Sequence, residues 1–347
     1  MLKKLTQQTG SGKCLSDHDV SMAVEALVDE LVPSETKADF LTALARKGET
    51  PDEIAAFARE LRAKSVQPPV DAKTRSREIL DVVGTGGDHV NTFNISTGAA
   101  IIAAAAGIAV AKHGNRAITS RCGSADVLEA LGIRTDLPPE QAARSLAERQ
   151  FAFFFAPKYH PAFKHIGPAR KLCAERGQRT LFNYLGPLLN PVRPSAMLVG
   201  TARPELCSPM ARVLQSLGVR RAMVVCGSGD GRYLDELSIL GDTTVAEFYQ
   251  EHGISASILK SSIFSIAPAT LGDLAGGDPQ TNAQIIRSLF IGTERGPKRD
   301  AILLNAAAAL FVGGATRSIY EGWDLAAEVI DSGKAAVKLN ELTKPLD

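Results

Sequence analysis

Several polar clusters in this chain of 347 residues have residue types and spacing suited to holding an anion. The run Asp81-Val-Val-Gly84-Thr85-Gly86-Gly87-Asp88 follows an apolar stretch and places three glycines in four positions. Such a loop turns sharply and presents consecutive backbone N–H groups, a concavity that fits a phosphate. It is not a P-loop, since no Gly-Lys-Ser/Thr follows, and not a dinucleotide fingerprint, since His89 holds the third glycine position. Asn94-Ile95-Ser96-Thr97-Gly98 stands just ahead of an alanine-rich helix, so amides and hydroxyls gather at a helix end that carries free N–H groups and partial positive charge. A plain Ser/Thr cap accounts for one of those hydroxyls and not for the cluster. Lys112-His113-Gly114-Asn115-Arg116 then runs toward Ser124-Ala125-Asp126, directly after a short strand, where open α/β sheets bind their ligands. Ser124 is expected to cap the next helix as well as to face the anion.

Two further groups stand later in the chain. His160 through Arg170 leads into Arg179-Thr180-x-x-Asn183-x-x-Gly186-Pro187-Leu188-x-Asn190-Pro191. Arg170 has the planar fork that clamps a carboxylate. Asp235-Glu236 follows the glycine-rich turn Gly227–Gly231, and adjacent carboxylates near a diphosphate suit Mg²⁺, a hard cation that takes oxygen ligands. That turn is no dinucleotide site, because Arg232 occupies the required glycine.

These groups need a scaffold. The first seventy or so residues read as helix: Ser16 caps a stripe of Val20, Val24, Leu27, Val28 and Leu31, Pro33-Ser34 begins a second helix that Gly48 stops, and Thr50-Pro51-Asp52-Glu53 is a capping box. Ser65–Arg77 reads as a linker. Beyond it, β-rich runs are predicted at Ile79–Val83, Ala109–Lys112, Phe151–Ala156, Ala196–Thr201, Ala222–Cys226 and Ser262–Ile266, with helices between most of them. Arg299–Val312 and Trp323–Leu342 are again helical. This predicts an α/β fold: a small all-helical N-terminal domain, residues 1–72 with an inserted segment of about 168–192, and a larger α/β domain, 73–167 and 193–347, with a mostly parallel central sheet and flanking helices.

Composition narrows the function classes. Lys and Arg number 39 against 38 Asp and Glu, a net charge of +1, so no global field drives nucleic-acid or membrane binding, and any anion must be held locally. The five cysteines are scattered without a C-x-x-C pair, which argues for a reducing compartment and against zinc. The N-terminus lacks the apolar core of a secretory signal, and the longest apolar run, Gly98–Ala111, is too short for a bilayer, so a soluble cytoplasmic protein is expected.

In their order along the chain, the Gly84–Asp88, Asn94–Thr97, Lys112–Arg116, Gly123–Asp126 and Asp235-Glu236 motifs resemble the anthranilate phosphoribosyltransferase family, over nearly the whole sequence. No single motif is decisive; the five together are specific. The resemblance implies transfer of the 5-phosphoribosyl group from 5-phosphoribosyl 1-diphosphate (PRPP) to the amino group of anthranilate, in tryptophan biosynthesis, with two Mg²⁺ ions and a homodimer formed through the helical domain. It implies PRPP along Gly84, Gly87, Asp88, Thr92, Asn94, Ser96, Thr97, Lys112, Ser120 and Ser124. One Mg²⁺ would be held by Ser96 and the other by Asp235 and Glu236. Anthranilate would meet Gly84, Asn115 and Arg170, with His113 and His160 beside its route, and Lys112, Asn115 and Arg170 would carry the catalysis. Cys122 stands where the family commonly has a serine, and the stretch 171–178 is about two residues longer than usual. A pyrimidine nucleoside phosphorylase would lack the Lys112–Arg116 block and the acid pair. A nucleic-acid-binding relative without activity would show a basic surface and a decayed acid pair; the near-zero net charge and the intact Asp235-Glu236 argue against it.

Overall fold

The computed structural model describes residues 1–117, 121–250, 252–264 and 266–346. Its N-terminal part is built of α1 (Leu2–Gly10), α2 (Asp17–Val28), α3 (Ser34–Lys47) and α4 (Pro51–Ala63). The start signals act as the sequence predicts. Ser16 and Asp19 form a reciprocal box on α2, Thr50 and Glu53 form another on α4, and Pro51 sits where its missing N–H costs nothing. Gly48 ends α3 in the left-handed region, at φ 85°. Helix α1 lies outside the predicted elements, because its buried face is only Leu2, Leu5 and Thr9. Leu31 is not on the α2 stripe: the helix stops at Val28 and Leu31 is 85% exposed.

After the short α5 (Ala72–Arg75), strands and helices alternate: β1 (Ile79–Gly84), α6 (Ile95–Ala105), β2 (Ala109–Gly114), α7 (Ser124–Ala130), α8 (Pro139–Arg149), β3 (Phe151–Phe155), α9 (Ala156–Tyr159), α10 (Gly167–Glu175), β4 (Ala196–Gly200), α11 (Cys207–Ser216) and β5 (Arg221–Gly229). There follow β6 (Arg232–Leu234), β7 (Thr243–Tyr249), β8 (Ser255–Leu259), α12 (Pro279–Phe290), α13 (Pro297–Val312), α14 (Ile319–Asp331) and α15 (Lys334–Leu342). The sheet runs β3-β2-β1-β4-β5-β7-β8, with β6 also paired to β5. The pairs from β3 to β5 are parallel, and those of β5 with β6 and β7, and of β7 with β8, are antiparallel. The expected strand Ser262–Ile266 is not formed: Ser261–Ile263 is a 3-10 turn and Ser265 lies outside the described residues. The expected helix Trp323–Leu342 is two helices, broken where Gly333 turns at φ 79°.

Side chains alternate across the strands and so bind two helical layers. Leu80, Val82, Ala196 and Leu198 pack on α6, α7 and α12–α15. Met197, Val199, Ala222 and Val224 face the other way, into a core that holds Val20, Leu41 and Phe57 together with Ile166, Leu181 and Leu188. The N-terminal helices therefore close their apolar faces against a later segment of the same chain. Among the described residues, no helix is long and apolar enough to cross a membrane.

Candidate active site

The carboxyl ends of β1, β4 and β5 meet the backbone of Asp235-Glu236, which follows β6. Close approach demands the glycines there. A Cβ on Gly200 would stand 1.6 Å from Asp235 O, and one on Gly84 would stand 2.2 Å from Asp235 Oδ2. The acid pair thus lies directly on the rim of the sheet. Gly86 N donates to Asp235 Oδ2 at 2.7 Å, and Asp88 shares a hydrogen bond with the same carboxyl. Burial pushes Asp235 well above the usual carboxylate range, and Asp88 pushes it further; burial and Asp235 do the same to Glu236, with Lys112 opposing. Part-buried carboxylates crowded together are eased by a cation. Among the described residues, no three His, Cys, Asp or Glu side chains form a ready-made metal cage. A few hard oxygens with other positions left to phosphate and water are what Mg²⁺ takes, so the donor set fits that ion.

Helix α6 aims its N-terminus at this spot. Ser96 N donates to Glu236 Oε1 at 3.2 Å, and the Ser96 hydroxyl is 3.5 Å from Lys112 Nζ, which also donates to Val82 O at 2.6 Å. Lys112 is buried on β2; burial lowers its pKa while Asp81 and Glu236 push it back up. Asp81 is fully buried and raised to about 6 by that burial, with Lys112, Asn190 and the His113 N–H opposing. Asn94 is the N-cap of α6 without a side-chain cap bond: its amide donates to Cys122 O at 3.2 Å and accepts from Asn282 of α12 at 2.8 Å. Thr97 is buried with its hydroxyl unpartnered, and Thr92 bridges to Ala275.

An aromatic cluster begins at His113, the residue after Lys112 on β2. The His113 and His160 rings meet edge to face at 5.4 Å, His160 lies 5.1 Å from Phe163, and Phe163 lies 5.8 Å from Phe182. Arg170, projecting from α10, sets its guanidinium 5.2 Å from the Phe182 ring centre; among the described residues it has no carboxylate partner. Burial presses His113 to about 3, with His160 adding, and presses His160 to about 4, so both rings are neutral at pH 7. His113 bonds the Gly186 backbone and leaves Nε2 buried and unpaired, while His160 Nε2 meets Leu189 O at 2.9 Å.

The structure corrects the expected capping role of Ser124. Gly123 is the N-cap of α7, and the Asp126 carboxylate accepts from Gly123 N and Ala117 N, each at 2.9 Å. Ser124 is the first helical residue, its hydroxyl 3.3 Å from the carbonyl of exposed Asn115. Arg116 is bound to Asp126 and Glu129 and so serves α7. Ser120 lies outside the described residues. Of the remaining expected positions, Gly84 ends β1, Lys112 lies near the end of β2, Gly87, Asp88 and Thr92 stand in the loop between β1 and α6, and Asn94, Ser96 and Thr97 stand at the start of α6. Sequence reasoning missed Asn282. It lies on an amphipathic helix 188 residues from Asn94, and only a polar residue at a core position of that helix signals it.

A family model described as the glycosyl transferase family a/b domain matches residues 76–336, and one described as the helical bundle domain of that family matches residues 3–65. An anthranilate phosphoribosyltransferase of Acetivibrio thermocellus is 44% identical, covering 99% of this chain and 96% of its own. The crystal structure of the Thermus thermophilus enzyme of that name superposes with a TM-score of 0.88 at 42% identity, covering 98% of both chains. The Saccharomyces cerevisiae enzyme, solved with PRPP and Mg, superposes with a TM-score of 0.87 at 28% identity, covering 98% of this chain and 96% of its own; it has also been solved with 4-fluoroanthranilate. Sequence likeness along almost the whole length, together with a shared fold, puts this chain in the anthranilate phosphoribosyltransferase family.

Proposed function

We infer that the chain transfers the 5-phosphoribosyl group of PRPP to the amino group of anthranilate, giving N-(5-phosphoribosyl)anthranilate and diphosphate in tryptophan biosynthesis. One observation carries this reading: Glu236, Ser96 and Lys112 are linked by contacts at the strand ends, and His113, the next residue of β2, begins a chain of rings through His160, Phe163 and Phe182 to Arg170. A cation-and-phosphate end and an aromatic-acid end thus adjoin at the end of β2.

Asp235 and Glu236 hold one Mg²⁺ and Ser96 a second, and the ions supply charge neutralisation to the departing diphosphate. The donor's phosphates lie against the N–H groups of Gly84, Gly87 and Asp88, the side chains of Thr92, Asn94, Thr97, Ser120 and Ser124, and the N-terminus of α6. Lys112 adds a fixed positive charge where negative charge grows as the ribosyl bond breaks. Arg170 and Asn115 orient the acceptor's carboxylate, a positioning role that suits a weakly basic aromatic amine. No single strong base is called for, and the neutral rings of His113 and His160 stand beside the acceptor's route. The reading includes cytoplasmic location, the division at residue 72 with the return of about 168–192, and pairing of two copies through the helical part, tested by sedimentation.

Anthranilate is fluorescent, which makes the test direct. Its signal is expected to fall only when PRPP, Mg²⁺ and the protein are all present. A folded protein that leaves the signal unchanged overturns the reading.

A further inference from the structure

Asn305 is the one polar residue in the buried stretch Ile302–Leu310 of α13, and it is completely inaccessible to solvent. An amide is costly in such surroundings unless its polar atoms are paired. Here they are. Oδ1 accepts from Leu237 N at 2.9 Å, while Nδ2 donates to Leu237 O at 3.0 Å and to Ala301 O at 2.9 Å. The side chain therefore binds both backbone groups of one residue, as a neighbouring strand would, although Leu237 belongs to no strand. Packing alone does not call for it, since leucine has the same branched arrangement of four side-chain heavy atoms and the rest of the stretch is aliphatic. What the amide does is local: Leu237 directly follows Glu236. On the other side of the acid pair, Leu234 is fixed by its pairing to Gly227.

We propose that Asn305 is a positioning residue that clips Leu237 and so holds the Asp235 and Glu236 carboxylates at the separation a divalent cation requires. The proposal rests on the functional reading above and names what keeps its acid pair in place. Without the clip, the segment after Glu236 has a free N–H and C=O inside the core and must move to find partners, carrying the carboxylates with it.

The test compares the full chain with Asn305→Leu and Asn305→Asp, the latter keeping an acceptor for the Leu237 N–H and losing both donors. Mn²⁺ binding in the presence of PRPP is read by electron paramagnetic resonance, and backbone exchange by hydrogen–deuterium measurement. For Asn305→Leu, exchange is expected to quicken at residues 235–238 while β4 and β5 stay protected. Mn²⁺ is expected to bind about tenfold more weakly. KM for anthranilate should be unchanged, kcat should fall, and Asn305→Asp should lie between. Should Asn305→Leu fail to fold, Asn305→Asp carries the same comparison. Equal Mn²⁺ affinity in the variants and the unsubstituted chain overturns the proposal alone. No Mn²⁺ binding by the unsubstituted chain overturns the functional reading and the proposal together.

Discussion

Asp235 and Glu236 are held where carboxylates are poorly solvated, and that placement has a pH signature. Each has its pKa raised in the folded state by burial, so the folded protein holds protons that the unfolded chain has already released. Stability from these groups is present below the unfolded carboxylate range and is lost as pH rises through their raised folded values. In chelator, Asp235→Asn with Glu236→Gln is therefore expected to be more stable than the parent at pH 8, with the difference shrinking toward pH 5. The scale is about 1.4 kcal/mol for each pH unit by which a carboxyl is displaced; urea midpoints across that range measure it. The same double variant should need far more Mg²⁺, and an unchanged magnesium titration contradicts the ligand assignment. For Arg170→Ala, KM for anthranilate should rise by about tenfold or more with PRPP binding nearly intact, since a charged hydrogen bond contributes roughly 1.5–3 kcal/mol; equal losses for both substrates in steady-state kinetics count against its role. The groups proposed to hold ligands are legible in the sequence because their types crowd together. Asn305 is marked only as a polar residue in an aliphatic helix, a signal that does not name its partner 68 residues away.

At the level of elements, the acid pair depends on strand ends that carry no side chain. Gly200→Ala places a methyl against the Asp235 carbonyl, which is backbone and cannot swing aside. A loss of about 1–3 kcal/mol is expected, the usual range for overpacking, together with weaker Mg²⁺ use; thermal melts and a magnesium titration check it. The helix starts at Ser16 and Thr50 were readable because capping is a contract between residues three apart. Strands β7 and β8 were not: β8 is an edge strand whose Ser255–Ile258 are exposed, so it lacks the apolar pattern that marks a buried strand. The supposed strand at Ser262–Ile266 shows the opposite error, apolar residues packed from a loop, where Phe264 stacks on Trp323 at 4.9 Å.

At the level of the whole molecule, the helical part is tied through Lys37 to the turn beside the proposed acceptor site. Its buried Nζ donates to Asp29 O at 2.7 Å and to His165 O at 2.9 Å, in the 3-10 turn that also carries Phe163. Lys37→Met leaves two carbonyls unpaired and should destabilise the chain by about 1–3 kcal/mol. It should raise KM for anthranilate more than KM for PRPP, a split that two substrate titrations measure. The α/β architecture was legible from alternating patterns, whereas the closure of the N-terminal core was not, since periodicity shows that a face needs a partner and not which one. That shared core also sets an order of events during synthesis. The ribosome finishes Leu61 just over a hundred residues before it reaches Ile166, with which the early helices share their core. At about 5–20 residues per second, those helices wait on the order of 5–20 s with their apolar faces open. A nascent chain stalled near residue 150 should accordingly be cut by protease within its first sixty residues, and one released at full length should not.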